Sequence, residues 1–245
     1  MFPYDQQLLA SLQTPPASIA GVLSTMQAID SISIDGDGLK WFNWLYFQVT
    51  QAVEARVVTG GFTDTAFLAE LDVQFATLYF TALRNSLSGQ PLPDCWRTLF
   101  TQRSQTELTR LQFAMSGINA HINHDLPIAI VSTCKVTSQI ASYGPQHGTV
   151  QYTDYTSLNS TLDSLIQQAK QTLNVRLLGD AIPAASVLEN TIAAWSVSVA
   201  REAAWNNSEL LWHLQGEPGL TSAFLDSLDG LTSLVSKSLL VPLPI

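Results

Sequence analysis

The sequence predicts an all-α protein, a single domain over residues 1–245 built as a bundle of seven or eight helices around a central buried apolar helix. Three observations carry this expectation. Apolar residues recur at helical spacing along most of the chain, no alternation is long enough for a strand, and the breaks are short Gly/Pro segments rather than a linker. With 46% hydrophobic residues in 245, there is material for a sizeable core.

Pro15 and Pro16 suit the first turn of a helix that places Ile19, Val22, Leu23, Met26 and Ile29 on one side. Asp35-Gly-Asp37-Gly38 is a turn able to cap the next helix, from about Leu39 to Val58. That helix is apolar almost all round, so it is expected to run through the middle. Gly60-Gly61 closes it, and Thr63 or Asp64 caps a third helix reaching about Leu87. After the loop 88–93, helices are expected from Asp94 to about Ser116 and over 117–140. Gly144-Pro145-Gln-His147-Gly148 breaks the chain again. Helices at about Tyr152–Leu178, Ala184–Leu214 and Thr221–Leu240 complete the set, with an extended Val-Pro-Leu-Pro-Ile tail against the body.

Composition narrows the function. Charged residues make up 13%, which excludes disorder and a coiled coil. A formal net charge of −9 and only four Lys leave no basic stripe, so no nucleic-acid partner is expected. The N-terminus does not read as a secretory signal, and no run of eighteen apolar residues predicts a membrane span. The expected compartment is the cytoplasm, with Cys95 and Cys134 as free, mostly buried thiols. The oligomeric state is left open.

The chemistry concentrates in Gly117-Ile-Asn119-Ala-His121-Ile-Asn123-His124-Asp125-Leu-Pro127. His121 and Asp125, four apart, share one helix face, and Asn119 and Asn123 form a second such pair. Pro127 has no amide hydrogen, so a break or kink is expected at the end of the cluster. The pair can hold one divalent metal, fix an imidazole tautomer for acid/base work, or satisfy two buried groups structurally. Asp72, among Leu71, Val73 and Phe75, is either a second functional carboxylate or the partner of a buried Arg. Arg201 can clamp an anionic group or act as structural glue to Asp72 or Asp125. His147 is read as exposed or part of a lid, and His213 as a surface residue. Trp41, Trp44, Tyr46 and Tyr79 are candidates for an aromatic pocket wall or for plain core.

Asp37-Gly-Leu-Lys-Trp-Phe-Asn-Trp-Leu-Tyr46, Leu71-Asp72-Val-Gln-Phe-Ala-Thr-Leu-Tyr79 and Asn119-Ala-His-Ile-Asn-His-Asp125-Leu together resemble an uncharacterised, mostly bacterial helical family with an Asn-Ala-His-Ile-Asn-x-Asp-Leu signature. Asp154–Asn159 and Arg201–Trp205 resemble it too. The resemblance implies that Asp72, Asn119, His121, Asn123, Asp125 and Arg201 form one constellation, with an apolar residue expected where this chain has His124. A slighter likeness, through His121 and Asp125 alone, is to the zinc-dependent phospholipase C and P1 nuclease group, whose N-terminal zinc-binding Trp is missing here.

The leading expectation is an enzyme acting on a small, largely hydrophobic molecule by cyclisation, isomerisation or other acid/base chemistry. His121, Asp125 and Asp72 would be catalytic; Asn119, Asn123, Arg201 and the aromatic set would bind substrate. The alternatives are a metal-dependent hydrolase of esters or phosphoesters, with His121 and Asp125 on the metal, and a non-catalytic ligand-binding or interaction protein.

Overall fold

The computed structural model describes residues 2–137, 140–173 and 195–242. Among these the chain is helical, with no strand: α1 Asp5–Ser11, α2 Ile19–Ile32, α3 Gly38–Val58, α4 Thr65–Leu87, α5 Asp94–Gln102, α6 Arg110–Ala120, a π-helical turn His121–Asp125, α7 Leu126–Val136, α8 Val150–Thr156, α9 Asn159–Leu173, α10 Val197–Leu214 and α11 Pro218–Leu239.

The helix starts follow capping chemistry. The side chains of Ser18, Asp37, Asp64, Thr149 and Ser196 accept from backbone N–H groups in the first turns of α2, α3, α4, α8 and α10. Thr109 and Gln112 form a reciprocal capping box on α6. This box explains why the helix expected over 94–116 is two helices. Residues 103–109 leave the helix so that Arg103 can reach inward, where its guanidinium pairs with Asp37 and Asp5. Tyr4 donates its hydroxyl hydrogen to the same Asp37. The short helix α1, which the hydrophobic pattern did not reveal, is anchored by this buried ion cluster.

The most enclosed helix is not α3 but the run α6–π turn–α7. Every residue from Leu111 to Pro127 is buried except half-buried Asn123, whereas α3 buries one side. Gln112, Asn119, Asn123, His124 and Asp125, which make 110–127 look less apolar than α3, bond to neighbours, which lets them sit inside. Helix α6 packs on α3 and α11, while α7 packs between α4 and α10. Close approach of α3 and α6 depends on two glycines: a Cβ at Gly117 would collide with the Phe42 ring, and one at Gly38 with the Phe113 ring.

The stretch expected as one helix from Tyr152 divides at Ser157-Leu158 into α8 and α9. Residues 174–178 and 184–194 of the expected helices lie outside the described residues. The C-terminal stretch meets the body where Gln112 Nε2 donates to the carbonyls of Leu239 and Val241. Helix α4 is long and apolar enough to cross a membrane by length and composition, and half of its apolar window is buried in the bundle.

Candidate active site

Pro127 brings the site about. Lacking an amide hydrogen, it cannot continue the α ladder, and the chain answers with a wider turn rather than the expected break: Leu126 N–H reaches back to the His121 carbonyl. The π turn holds His121, His124 and Asp125 pointing inward, all buried.

Asp125 is the hub. Its Oδ2 accepts from Trp96 Nε1–H at 2.9 Å and faces His121 Nδ1 at 3.0 Å, while Oδ1 faces His124 Nδ1 at 2.7 Å. Burial works against the charge, but the two imidazoles outweigh it and hold the Asp125 carboxyl below its ordinary range. For His121, burial outweighs the carboxylate and pushes its pKa down, so the ring is neutral, with Nδ1–H donated to Asp125 and Nε2 bare. His121 Nε2 is buried without a hydrogen-bond partner among the described residues. Burial also opposes protonation of His124, yet Asp125 and Asp229 hold its pKa up.

The His121 ring lies in an aromatic box. Phe75 stacks on it with centroids 3.4 Å apart and planes 6° from parallel. Tyr46 meets it at 4.4 Å, with Phe42, Trp96 and Tyr79 further out. The expected pocket beside His121 is therefore displaced. A cavity of about 40 Å³ lies next to this box, lined by Tyr46, Asp72, Phe75, Leu126 and Arg201, with apolar side chains of α3, α4 and α9. His121 does not line it; Phe75 and Tyr46 border both.

Asp72 in this cavity has no ion-pair partner among the described residues, against the expectation of a buried Arg, and its Oδ2 is buried and unbonded. Burial, with Glu54 adding to it, raises its pKa from 3.8 to about 7. Arg201 meets neither Asp72 nor Asp125. Its Nε donates to Asn159 Oδ1 and its Nη2 to the Tyr155 carbonyl, each at 2.8 Å, and its guanidinium stacks 3.8 Å over the Tyr155 ring. Helix α9 supplies Asn159, so the charge is placed at the cavity without a salt bridge among the described residues, while Asp163 of the same helix acts on it from further off.

Other expected residues go elsewhere. Asn119 donates to Thr232 O and Ser236 Oγ of α11, and Asn123 donates to Asn119 Oδ1, so this pair ties the π turn region to α11 and does not face the cavity. Trp41 donates to Asp35 O beneath the Arg110 guanidinium, and Trp44 borders a separate surface hollow beside Phe47. Only Tyr46 of the aromatic candidates lines the cavity. Tyr79 lies behind it against Trp96, its hydroxyl 3.4 Å from Asn43 Oδ1. The single constellation implied by the resemblance is thus three groups: the dyad, the Asn pair, and Asp72 with Arg201. His147 is pinned to α10 by Glu202 and Glu209, and His213 is exposed.

The pair His121–Asp125 does not fit as a metal chelate. Nδ1 is turned onto Asp125, and both carboxylate oxygens already serve three donors. A grouping that local spacing did not reveal lies beside it: Cys95, His124 and Asp229, each offering one ligand atom within 4.8 Å of the others. These positions are far apart in sequence, so only the fold unites them.

The molecule is thus an all-helical protein with a buried imidazole–carboxylate hub next to a small cavity. It belongs to DUF5995, a family of unknown function, which matches residues 19–242. No curated protein and no solved structure matches the chain.

Proposed function

We propose that this protein is an enzyme performing acid/base chemistry on a small, largely apolar molecule that carries one acidic or carbonyl group. The observation that supports this most is Asp72: a buried carboxylate oxygen without a partner among the described residues, at the edge of an apolar cavity, on a group poised near neutral pH. Asp72 is the group that exchanges a proton with the substrate, and Arg201 takes its polar end, since it forms no salt bridge among the described residues. The cavity of about 40 Å³ has room for water but not for substrate as it stands. Entry therefore requires Phe75 to swing aside, which opens the face of the His121 ring to the cavity. The His121–Asp125 dyad then supplies a second base with its tautomer already fixed. The zinc-hydrolase alternative draws no support from this pair, whose members hold each other.

The test is a panel of small apolar carboxylic acids, esters and enolisable ketones incubated in D2O, read by NMR for hydrolysis, rearrangement or deuterium wash-in. Wild type turns over at least one class, and Asp72→Asn loses roughly 10²–10⁴-fold while remaining folded. Turnover unchanged in Asp72→Asn, or neither binding nor turnover anywhere in the panel, overturns the reading.

A further inference from the structure

We propose that Cys95, His124 and Asp229 bind one divalent transition-metal ion of the zinc type, at a site separate from the Asp72 cavity and joined to the dyad through Asp125; the proposal does not rest on the function proposed above. The three residues come from α5, the π turn and α11, and one ligand atom of each lies within 4.8 Å of the others. Zinc bonds of about 2.0–2.3 Å place tetrahedral ligands roughly 3.3–3.8 Å apart. Side-chain rotations of about 1 Å close the set.

Two features prepare these groups for a metal. His124 Nδ1 lies 2.7 Å from Asp125 Oδ1, which orients the ring and leaves Nε2 to bind. A carboxylate behind a ligating imidazole is the usual support at metal centres. Asp229 is fixed as well, because its two oxygens accept from the backbone N–H groups of Asp94 and Cys95 at 2.7 and 2.9 Å. Each oxygen keeps a lone pair for a cation. The sulfur, nitrogen and oxygen donors select zinc or cobalt over magnesium or calcium, which take oxygen alone.

On binding, the Cys95 S–H bond breaks, its proton passes to the buffer, and the sulfur lone pair forms the bond to the metal. Thiolate and carboxylate then balance the two positive charges, so no net charge is left in a largely buried place. Three protein ligands leave a fourth position to water. Without metal, the same groups serve as a polar bridge between α5 and α11. The two states differ in what a metal titration reads.

The full chain, without affinity-tag histidines and stripped by a chelator, is titrated with Co²⁺. The expected result is one equivalent bound, with a thiolate-to-cobalt charge-transfer band in the near ultraviolet that Zn²⁺ abolishes by displacement. Cys95→Ser loses the band and Cys134→Ser keeps it, both checked for helicity by circular dichroism. His124→Gln and Asp229→Asn weaken zinc binding tenfold or more. In wild type, zinc protects one of the two thiols from alkylation in mild denaturant, a readout that stands even where a variant fails to fold. No band at one equivalent, a band that survives in folded Cys95→Ser, or equal alkylation of both thiols with and without zinc overturns the proposal.

Discussion

Asp72 shows how a single residue sets a pH dependence. Its pKa is raised from 3.8 to about 7 by burial, with Glu54 adding to it. Between these values the folded protein keeps a proton that the unfolded chain has released, so stability falls as pH rises through this window and levels off above it. Asp72→Asn removes the penalty. The gain over wild type grows from near zero at about pH 4 to roughly 4 kcal/mol at about pH 8, an upper figure for a group that water can reach. Urea unfolding of both proteins across that range measures it, and a gain that does not grow with pH contradicts the assignment. The local sequence showed that Asp72 is buried and needs an explanation. It could not show that Arg201, on the same cavity, is held by Asn159 and a carbonyl instead.

At the level of elements, the contact of α3 with α6 rests on the missing side chain of Gly117. In Gly117→Ala the new methyl group meets the Phe42 ring, which itself packs edge-on to Tyr79, Trp96 and His121 and has nowhere to go. The expected loss is about 1–3 kcal/mol by denaturant unfolding, despite the better helix propensity of Ala. An unchanged midpoint means that the helices part freely. Helices with clean apolar periodicity, such as α2 and α4, were legible in the sequence, although α2 starts at Ile19 behind the Ser18 cap and leaves Pro15 and Pro16 outside its first turn. The division of 94–116 had a local mark in the Thr109/Gln112 capping box, but the exit of the chain at Arg103 did not show, because it depends on Asp37 and Asp5, 66 and 98 positions away. The π turn was half legible: Pro127 announced a disturbance, but whether the chain kinks or widens depends on what surrounds it. Here Asp125 binds His121, His124 and Trp96 at once, and the wide turn allows all three.

Across the whole molecule, both thiols report on opening. Cys95 and Cys134 are free and fully buried, in different helices, α5 and α7. Neither meets a reagent until the surrounding helices separate. In the presence of a chelator, alkylation of the two is expected to proceed at one common rate, limited by global unfolding, and to be negligible in native buffer. Mass spectrometry of the two peptides separates them. Faster labelling of Cys95 alone shows that α5 and α11 detach before the rest. The all-helical class was plain from the sequence because it depends on periodicity summed over the chain. The site was legible only where its parts are local, as in residues 119–125. Cys95 and Asp229 stand 134 positions apart, beyond the reach of spacing arguments.

Because Asp125 serves two imidazoles and an indole with only two oxygens, none of the three can change its hold without the others responding. A ligand that draws His124 toward Cys95 alters the field at His121, and by reciprocity anything that protonates His121 alters how strongly that ligand is held. Trp96 is bonded to the same oxygen as His121, so the part of the ultraviolet emission that a Trp96→Phe variant loses, among six tryptophans, is the part expected to follow such an event.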